Sequence, residues 1–474
     1  MAINLDGALR WKTANAEEVA MLADLQGNIL KGHGRRATRH LFLRFNADKA
    51  RARKFVRDIS LLLVSAHEQL RQADAFKIAK VDGGPFVAFF LTFKGYEALG
   101  IADRAPTQGP AGEVFRQGMR ARAAQLSDPA LANLEADYRG DIHAMVLIAD
   151  QPDSSDSWTS NSADDMETKI LNVMSEAAEV VASEAGRAIF NAAGEGLEHF
   201  GYVDGRSQPL LLVEDVQREH DANGGTDKWN PEFPLRQVLV KDPGSASPTA
   251  FGSYFVFRKL EQNVKAFTAA EEALGVTLGS GELAGAMIVG RWENGTSVQI
   301  SGTDTPTSPI SNNFNYSTDP GGARCPFHGH VRKANPRGES AVKFGIPEAD
   351  ERAHLMARRG ITYGRRDSIV DPQNEPDHGV GLLFMAYQSS LENQFEFTQA
   401  SWANNETFLN SASGGVIATG RDPIIGEGGV STLRHHKVWD NAAGGTVDAP
   451  FGGFVTLKGG EYFFAPSKSM LAGV

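Results

Sequence analysis

The segment CPFHGHVRKANPR, Cys325 to Arg337, gathers reactive side chains into a short run that a proline closes. It holds the only cysteine and two of the twelve histidines. A neutral imidazole ligates metals and can hold haem iron on its proximal side, which makes His330 a candidate ligand. Arg332, Lys333 and Arg337 follow it. They could neutralise carboxylates of such a cofactor, for which arginine offers a bidentate fork. Cys325, His328 and His330 also make a partial zinc set, with no fourth ligand evident in the sequence. Two ordinary loop histidines are the plain alternative.

Two further segments carry chemistry. In GYVDGRSQP, Gly201 to Pro209, glycines bracket Asp204. Glycine permits a sharp turn or a close approach to a flat ligand, and a carboxylate fixed there can carry protons. An Asx-type turn is the structural alternative. In ARRGITYG, Ala357 to Gly364, Arg358 and Arg359 could stabilise charge beside an anionic or peroxidic ligand, or belong to a solvated face. Tyr363 reads as a core tyrosine or an oxidisable one.

These residues need a scaffold, and hydrophobic periodicity supplies its outline. A short helix is expected near Glu17 to Leu25, and HLFLRF alternates like a half-buried strand. Ala47 to Ala73 reads as one long amphipathic helix, PFVAFFLTF and DIHAMVLIAD as buried strands, and Met166 to Ala185 as helix. QPDSSDSWTSNSADD reads as a polar loop. The second half repeats the rhythm: GSYFVFRKLEQNVKAF is strand then helix, and GLLFMAYQSS is a strand before helical LENQFEFTQASW. FGGFVTLKGGEYFFAPS reads as a hairpin with a Gly-Gly turn. This predicts an α+β chain of two similar lobes, residues 1–215 and 249–474, joined by a polar connection over 216–248.

Bulk properties narrow the function. A net charge of −11 argues against nucleic acid and acidic membrane surfaces as partners. One cysteine excludes an internal disulfide. The N-terminus lacks a basic and apolar leader, and no apolar run approaches a bilayer span. A cytoplasmic location is expected.

Taken together and in order, the segments resemble the dye-decolourising peroxidases. GxxDG at Asp204, the HxRKxNPR run at His330 and RRGIxYG at Arg358 are joined by DLQGNILKGHGR, GRDPIIGE and GGEYFFAPS. The resemblance covers nearly the whole chain and is greatest to the longer branch shared by fungal enzymes and bacterial relatives. It implies two ferredoxin-like lobes with antiparallel sheets and peripheral helices, related to the dimeric α+β barrels. It implies one haem b in the second lobe, with His330 as axial ligand and Arg337 on a propionate. Asp204 takes the distal acid–base role and Arg358 the distal arginine role, with Arg359 as its rival. Asp422, or else Glu396, is the expected partner of the His330 ring N–H. Tyr363 and Trp402 are candidate electron relays towards the surface. The implied activity is peroxidase turnover: hydrogen peroxide is reduced, and dyes, phenolics or other one-electron donors are oxidised, with Mn(II) as a further candidate. An ordinary aspartate titrates near ~3.9, so an acidic pH optimum is expected. A homodimer is the expected assembly. The alternative is a deferrochelatase-like haem-handling protein without significant peroxidase turnover.

Overall fold

The computed structural model describes residues 3–154, 157, 160–305, 310–366, 374–409, 411–412 and 415–474. Eight strands make the framework: β1 Ala37–Phe45, β2 Phe86–Leu91, β3 Ala144–Asp150, β4 Ala178–Arg187, β5 Phe251–Gln262, β6 Ile361–Tyr363, β7 Gly381–Gln388 and β8 Val455–Ala465. Each pairs antiparallel with its neighbours in the order β5-β8-β2-β3-β1-β4-β6-β7, and β7 pairs back onto β5. The sheet therefore closes into a barrel, which removes free edges. The first four strands form one lobe and the last four the other. Two seams join the lobes, at Phe464↔Leu91 and Tyr363↔Gly186. At the second seam Gly186 is required, because a Cβ there would lie 2.4 Å from Thr38 Oγ1 and 2.5 Å from Ile361 Cγ2.

Strand alternation sorts the core into two layers. On β2, Phe86, Ala88 and Phe90 join an inner cluster with Phe42, Phe255, Phe257 and Phe463. The intervening Val87, Phe89 and Leu91 join an outer cluster under the helices. Burying each of these phenylalanines contributes roughly 1.5–3 kcal/mol before the entropy of ordering is counted.

Four expectations need correction. The expected helix over 47–73 is two helices, Lys49–Ser60 and Ala66–Ala79. Ser65 caps the second by accepting the Glu68 N–H at 3.1 Å, so the chain restarts there. The expected helix over 166–185 ends at Met174, and β4 follows. Its alternating residues pair along β1, so tertiary pairing overrides the helix propensity of Ala and Glu. The expected Gly-Gly hairpin is one continuous strand, β8, with a bulge between Leu457 and Gly459. Gly459 and Gly460 serve close approach: a Cβ at Gly459 would lie 2.1 Å from the Tyr138 ring, and one at Gly460 2.4 Å from Phe257 O. The expected lobe boundary at 215/216 falls inside helix Val213–Asn223. Among the described residues no helix is long and apolar enough to cross a membrane.

Candidate active site

A cavity of about 490 Å³ lies against the second lobe. Its sheet wall comes from outward-facing residues of β5 (Arg258, Leu260, Gln262) and β7 (Leu382, Phe384). The inward neighbours Phe257 and Leu383 belong to the barrel core. The helical wall includes Phe395, Thr398 and Gln399, from a segment wound as π-helix over Leu391–Glu396 and Thr398–Ala403. Such wider turns are rare and cluster at functional sites.

His330 opens the short helix His330–Ala334 and lines this cavity. Its Nδ1 lies 2.9 Å from Asp422 Oδ2. The carboxylate can only accept, so the proton sits on Nδ1 and Nε2 keeps its lone pair for a ligand. Asp422 is itself fixed, since its Oδ1 accepts the N–H groups of Ile424 and Ile425 at 2.9 and 3.0 Å. Burial pulls the imidazole pKa down. The charge and hydrogen bond of Asp422 outweigh that and raise it. Burial alone would raise Asp422, but the His330 partnership holds it low.

Asp204 and Arg358 line the same cavity. Arg358 Nη1 stands 3.8 Å from Asp204 Oδ1, and Nη2 donates to Arg206 O at 2.8 Å. Arg358 ends the two-residue strand Ala357–Arg358, which pairs with β7 in the same register as β6. Its backbone N–H donates to Gln208 Oε1 at 3.1 Å. Gln208 therefore ties the aspartate loop to the arginine, a link absent from the sequence expectations although Gln208 stands inside GYVDGRSQP. Arg359 also borders the cavity, but its donors turn away. They go to Asn28 O, Ile29 O and Arg358 O at 2.9, 3.1 and 2.8 Å. Between the two arginines, geometry pairs Arg358 with Asp204.

Other expected residues lie elsewhere. Glu396 does not meet His330. It is buried against Arg122, which grips it through Nε and Nη2 at 3.0 and 2.7 Å, and against Tyr462 Oη at 2.9 Å. Its position in the π-helix turns it to the side away from the histidine. Arg332 and Lys333 do not line the cavity either. Arg332 is fully buried between Asp319 and Glu339, and Lys333 is capped by the carbonyls of Trp402 and Asn405. Arg337 sits behind the cavity wall, donating to Asn312 O at 2.8 Å, Phe314 O at 2.6 Å and Ser207 Oγ at 2.6 Å. Arg206 and Arg291, which the sequence expectations missed, do border the cavity. Tyr363 and Trp402 are 6% and 3% exposed, so neither side chain itself reaches the surface. Trp402 stacks on Phe408, with ring centroids 5.4 Å apart.

The zinc set does not assemble. His330 is committed to Asp422, His328 packs its ring against His435, and Cys325 lies in a separate apolar cluster. Among the described residues, no three or more His, Cys, Asp or Glu are grouped to hold a metal ion. The donor set suits haem instead: one imidazole with a free Nε2, apolar walls of the right size, and cationic side chains at the rim.

An α+β barrel carrying such a histidine and an Asp–Arg pair on one cavity suits a peroxidase. Comparisons with known proteins agree. Residues 24–188 match the DyP dimeric alpha+beta barrel domain, and residues 223–416 match the C-terminal domain of Dyp-type peroxidases. The chain is 43% identical to the multifunctional dye peroxidase DyP2 of Amycolatopsis sp., over 99% of each chain. The solved structure of that protein superposes with a TM-score of 0.92 over 100% of both chains. A DyP-type peroxidase from Anabaena sp. is 38% identical, covers 98% of this chain and 96% of its own, and has a TM-score of 0.89. The fungal dye-decolorizing peroxidase msp1 of Mycetinis scorodonius is 30% identical over 98% of this chain and 90% of its own. The chain belongs to the dye-decolourising peroxidase family, and it is a peroxidase. A deferrochelatase from Yersinia pestis matches over only 22% of this chain and 21% of its own, too short a match to carry the haem-handling alternative.

Proposed function

We propose that this peroxidase holds one haem b on His330, with Asp204 and Arg358 as the residues that process peroxide. The observation that carries the reading is the meeting of these three side chains on one cavity, with Asp422 locking the His330 tautomer. Bound there, the cofactor would supply the redox chemistry of peroxide reduction. Asp204 would take a proton from one oxygen of hydrogen peroxide through its carboxylate and return it to the other. Arg358 sets its guanidinium against the negative charge that grows as the O–O bond breaks. Arg206 O holds that guanidinium and Gln208 Oε1 holds the backbone N–H behind it, so little reorganisation is needed during the reaction.

The second half of the cycle needs electrons from dyes, phenolics or related aromatic donors. Trp402 is the better supported relay of the two candidates. It belongs to the π-helix that lines the cavity, and its backbone carbonyl is bonded to Lys333, three residues after His330. Its stack continues through Phe408 to Phe344, which is 42% exposed. Tyr363 is less suited, because among the described residues its buried hydroxyl has no hydrogen-bond partner to take a proton on oxidation. Mn(II) as a donor, and a homodimer, stay proposals without a named site or interface.

The test is an absorption spectrum of protein expressed with haem precursor, before and after one equivalent of hydrogen peroxide. A Soret band should appear, shift within the mixing time and return when dye is added. Asp204→Ala should load haem normally and slow the shift by about 10²-fold or more. A normal shift in that variant overturns the role of Asp204. A wild-type Soret band that ignores peroxide overturns the assignment of the whole distal pair.

A further inference from the structure

Among the described residues, the hydrogen-bond partners of Arg291 and Arg337 are all neutral. Arg291 is 3% exposed and Arg337 is 5% exposed. Arg291 donates through Nη1 to Gly295 O at 2.8 Å. Its Nη2 donates to Asn312 Oδ1 at 2.7 Å and Ser207 Oγ at 3.1 Å. Arg337 shares those last two acceptors through its own Nη2, at 3.1 Å and 2.6 Å respectively. Two like charges therefore converge on one amide oxygen and one hydroxyl. Burial pushes Arg291 down to about 10 and Arg337 to about 9. A buried cation without a counter-ion is unfavourable.

Two other buried guanidinium groups are paired with carboxylates. Arg332 meets Asp319 and Glu339, and Arg258 meets Asp128 and Glu427. Arg359 also has neutral partners, but all three of its donor nitrogens are bonded to carbonyls. Arg291 and Arg337 differ, because Arg337 Nε is buried with no partner and Arg291 borders the cavity with no bond from Nε among those above. The acceptor they share, Ser207, is held at φ +60°, a backbone conformation rare for a residue with a side chain. It stands three residues after Asp204. The anchor is thus built into the loop that carries the proposed proton carrier.

We infer that Arg291 receives a carboxylate of the bound cofactor directly, with Arg337 standing behind it as a second cation coupled through Ser207 and Asn312. The incoming anion supplies the charge that these two groups lack. This moves the direct contact from Arg337, where the sequence pointed, to a residue 39 positions before His330. The inference rests on the haem reading above.

The experiment compares haem with haem dimethyl ester, whose propionates carry no charge. Holoenzyme reconstituted with either one is mixed with excess apomyoglobin, and loss of cofactor is followed in the Soret band. Wild type should lose the ester roughly ten- to hundredfold faster than haem, the range expected for charge-assisted hydrogen bonds. In Arg291→Gln the two rates should fall within about threefold of each other, because the cation in direct contact with the carboxylate is gone. Arg337→Gln should narrow the ratio less. Arg291→Gln with the wild-type ratio overturns the inference, as does a collapse in Arg337→Gln alone. Where Arg291→Gln holds no cofactor, the neutral Arg291→Met serves, and an unchanged ratio there overturns it too. The two readings fail differently. If wild type binds neither compound, the haem reading is wrong; if it binds both equally, only the role of Arg291 is.

Discussion

Asp422→Asn isolates what the carboxylate behind His330 does. Asparagine keeps the volume, and its Oδ1 can still accept the Ile424 and Ile425 N–H groups that shape the loop. Lost is the anionic acceptor 2.9 Å from His330 Nδ1. An anionic partner makes the imidazole a stronger donor and favours ferric over ferrous iron, so its removal should raise the ferric/ferrous midpoint. A hydrogen bond to a charged group contributes about 1.5–3 kcal/mol, and a one-electron couple moves 59 mV for each tenfold change in equilibrium. If about half of the bond energy differs between the two oxidation states, the midpoint rises by about 30–65 mV. Spectroelectrochemical titration of the holoenzyme measures this directly. A midpoint that stays put or falls, in protein with a normal Soret band, refutes the claim that Asp422 tunes the ligand.

Glu396→Gln is the companion control. It removes the charge held by Arg122 and Tyr462, so unfolding should become easier by about 1–3 kcal/mol while the midpoint stays unchanged. Gly459→Ala should cost at least about 1–3 kcal/mol in denaturant melts, because the new methyl meets the Tyr138 ring; a tolerated substitution would mean the strand is free to move there. Burial holds His40, His199 and His435 neutral, each with a pKa of about 4. The unfolded chain takes up these protons near 6.5, so stability should fall as pH drops from about 6.5 to 4 and then level off, by at most ~3 kcal/mol per histidine. Thermal melts across that range should show a shallower slope in His40→Phe.

The strands with strict alternation or unbroken apolar runs were legible in the sequence because burial on one or both faces leaves that pattern. β2 and β5 are the clearest cases. β4 was not legible. Its residues Ala178 to Arg187 contain two glutamates and three alanines, and only pairing with β1 makes them a strand. The Gly-Gly pair of β8 misled for a related reason. Locally, two glycines signal a turn, but here they make room for Tyr138 and for the β5 backbone, neither of which is visible from the strand itself. Barrel closure depends on single-residue seams at Phe464 and Tyr363, which leave no periodic signature.

The site shows the same division between what is local and what is assembled. His330, Asp204 and Arg358 were legible because their short runs stand in the order of a known family; each run alone left a plain structural alternative. Their partners were less legible: Asp422 was named only with Glu396 as its rival, and Gln208 was missed. Glu396 and Asp422 are both carboxylates in the same lobe, and nothing local separates the one that meets an imidazole from the one that meets Arg122. The basic residues after His330 show the limit most clearly. Arg332, Lys333 and Arg337 read as one positive patch, yet each is buried for a different purpose. Arg332 closes an ion cluster with Asp319 and Glu339, Lys333 caps the end of the π-helix, and Arg337 backs Ser207. A run of like charges in sequence is not one field in space. The positive charge that borders the cavity comes instead from Arg206, Arg258, Arg291, Arg358 and Arg359, brought there by four different segments of the chain.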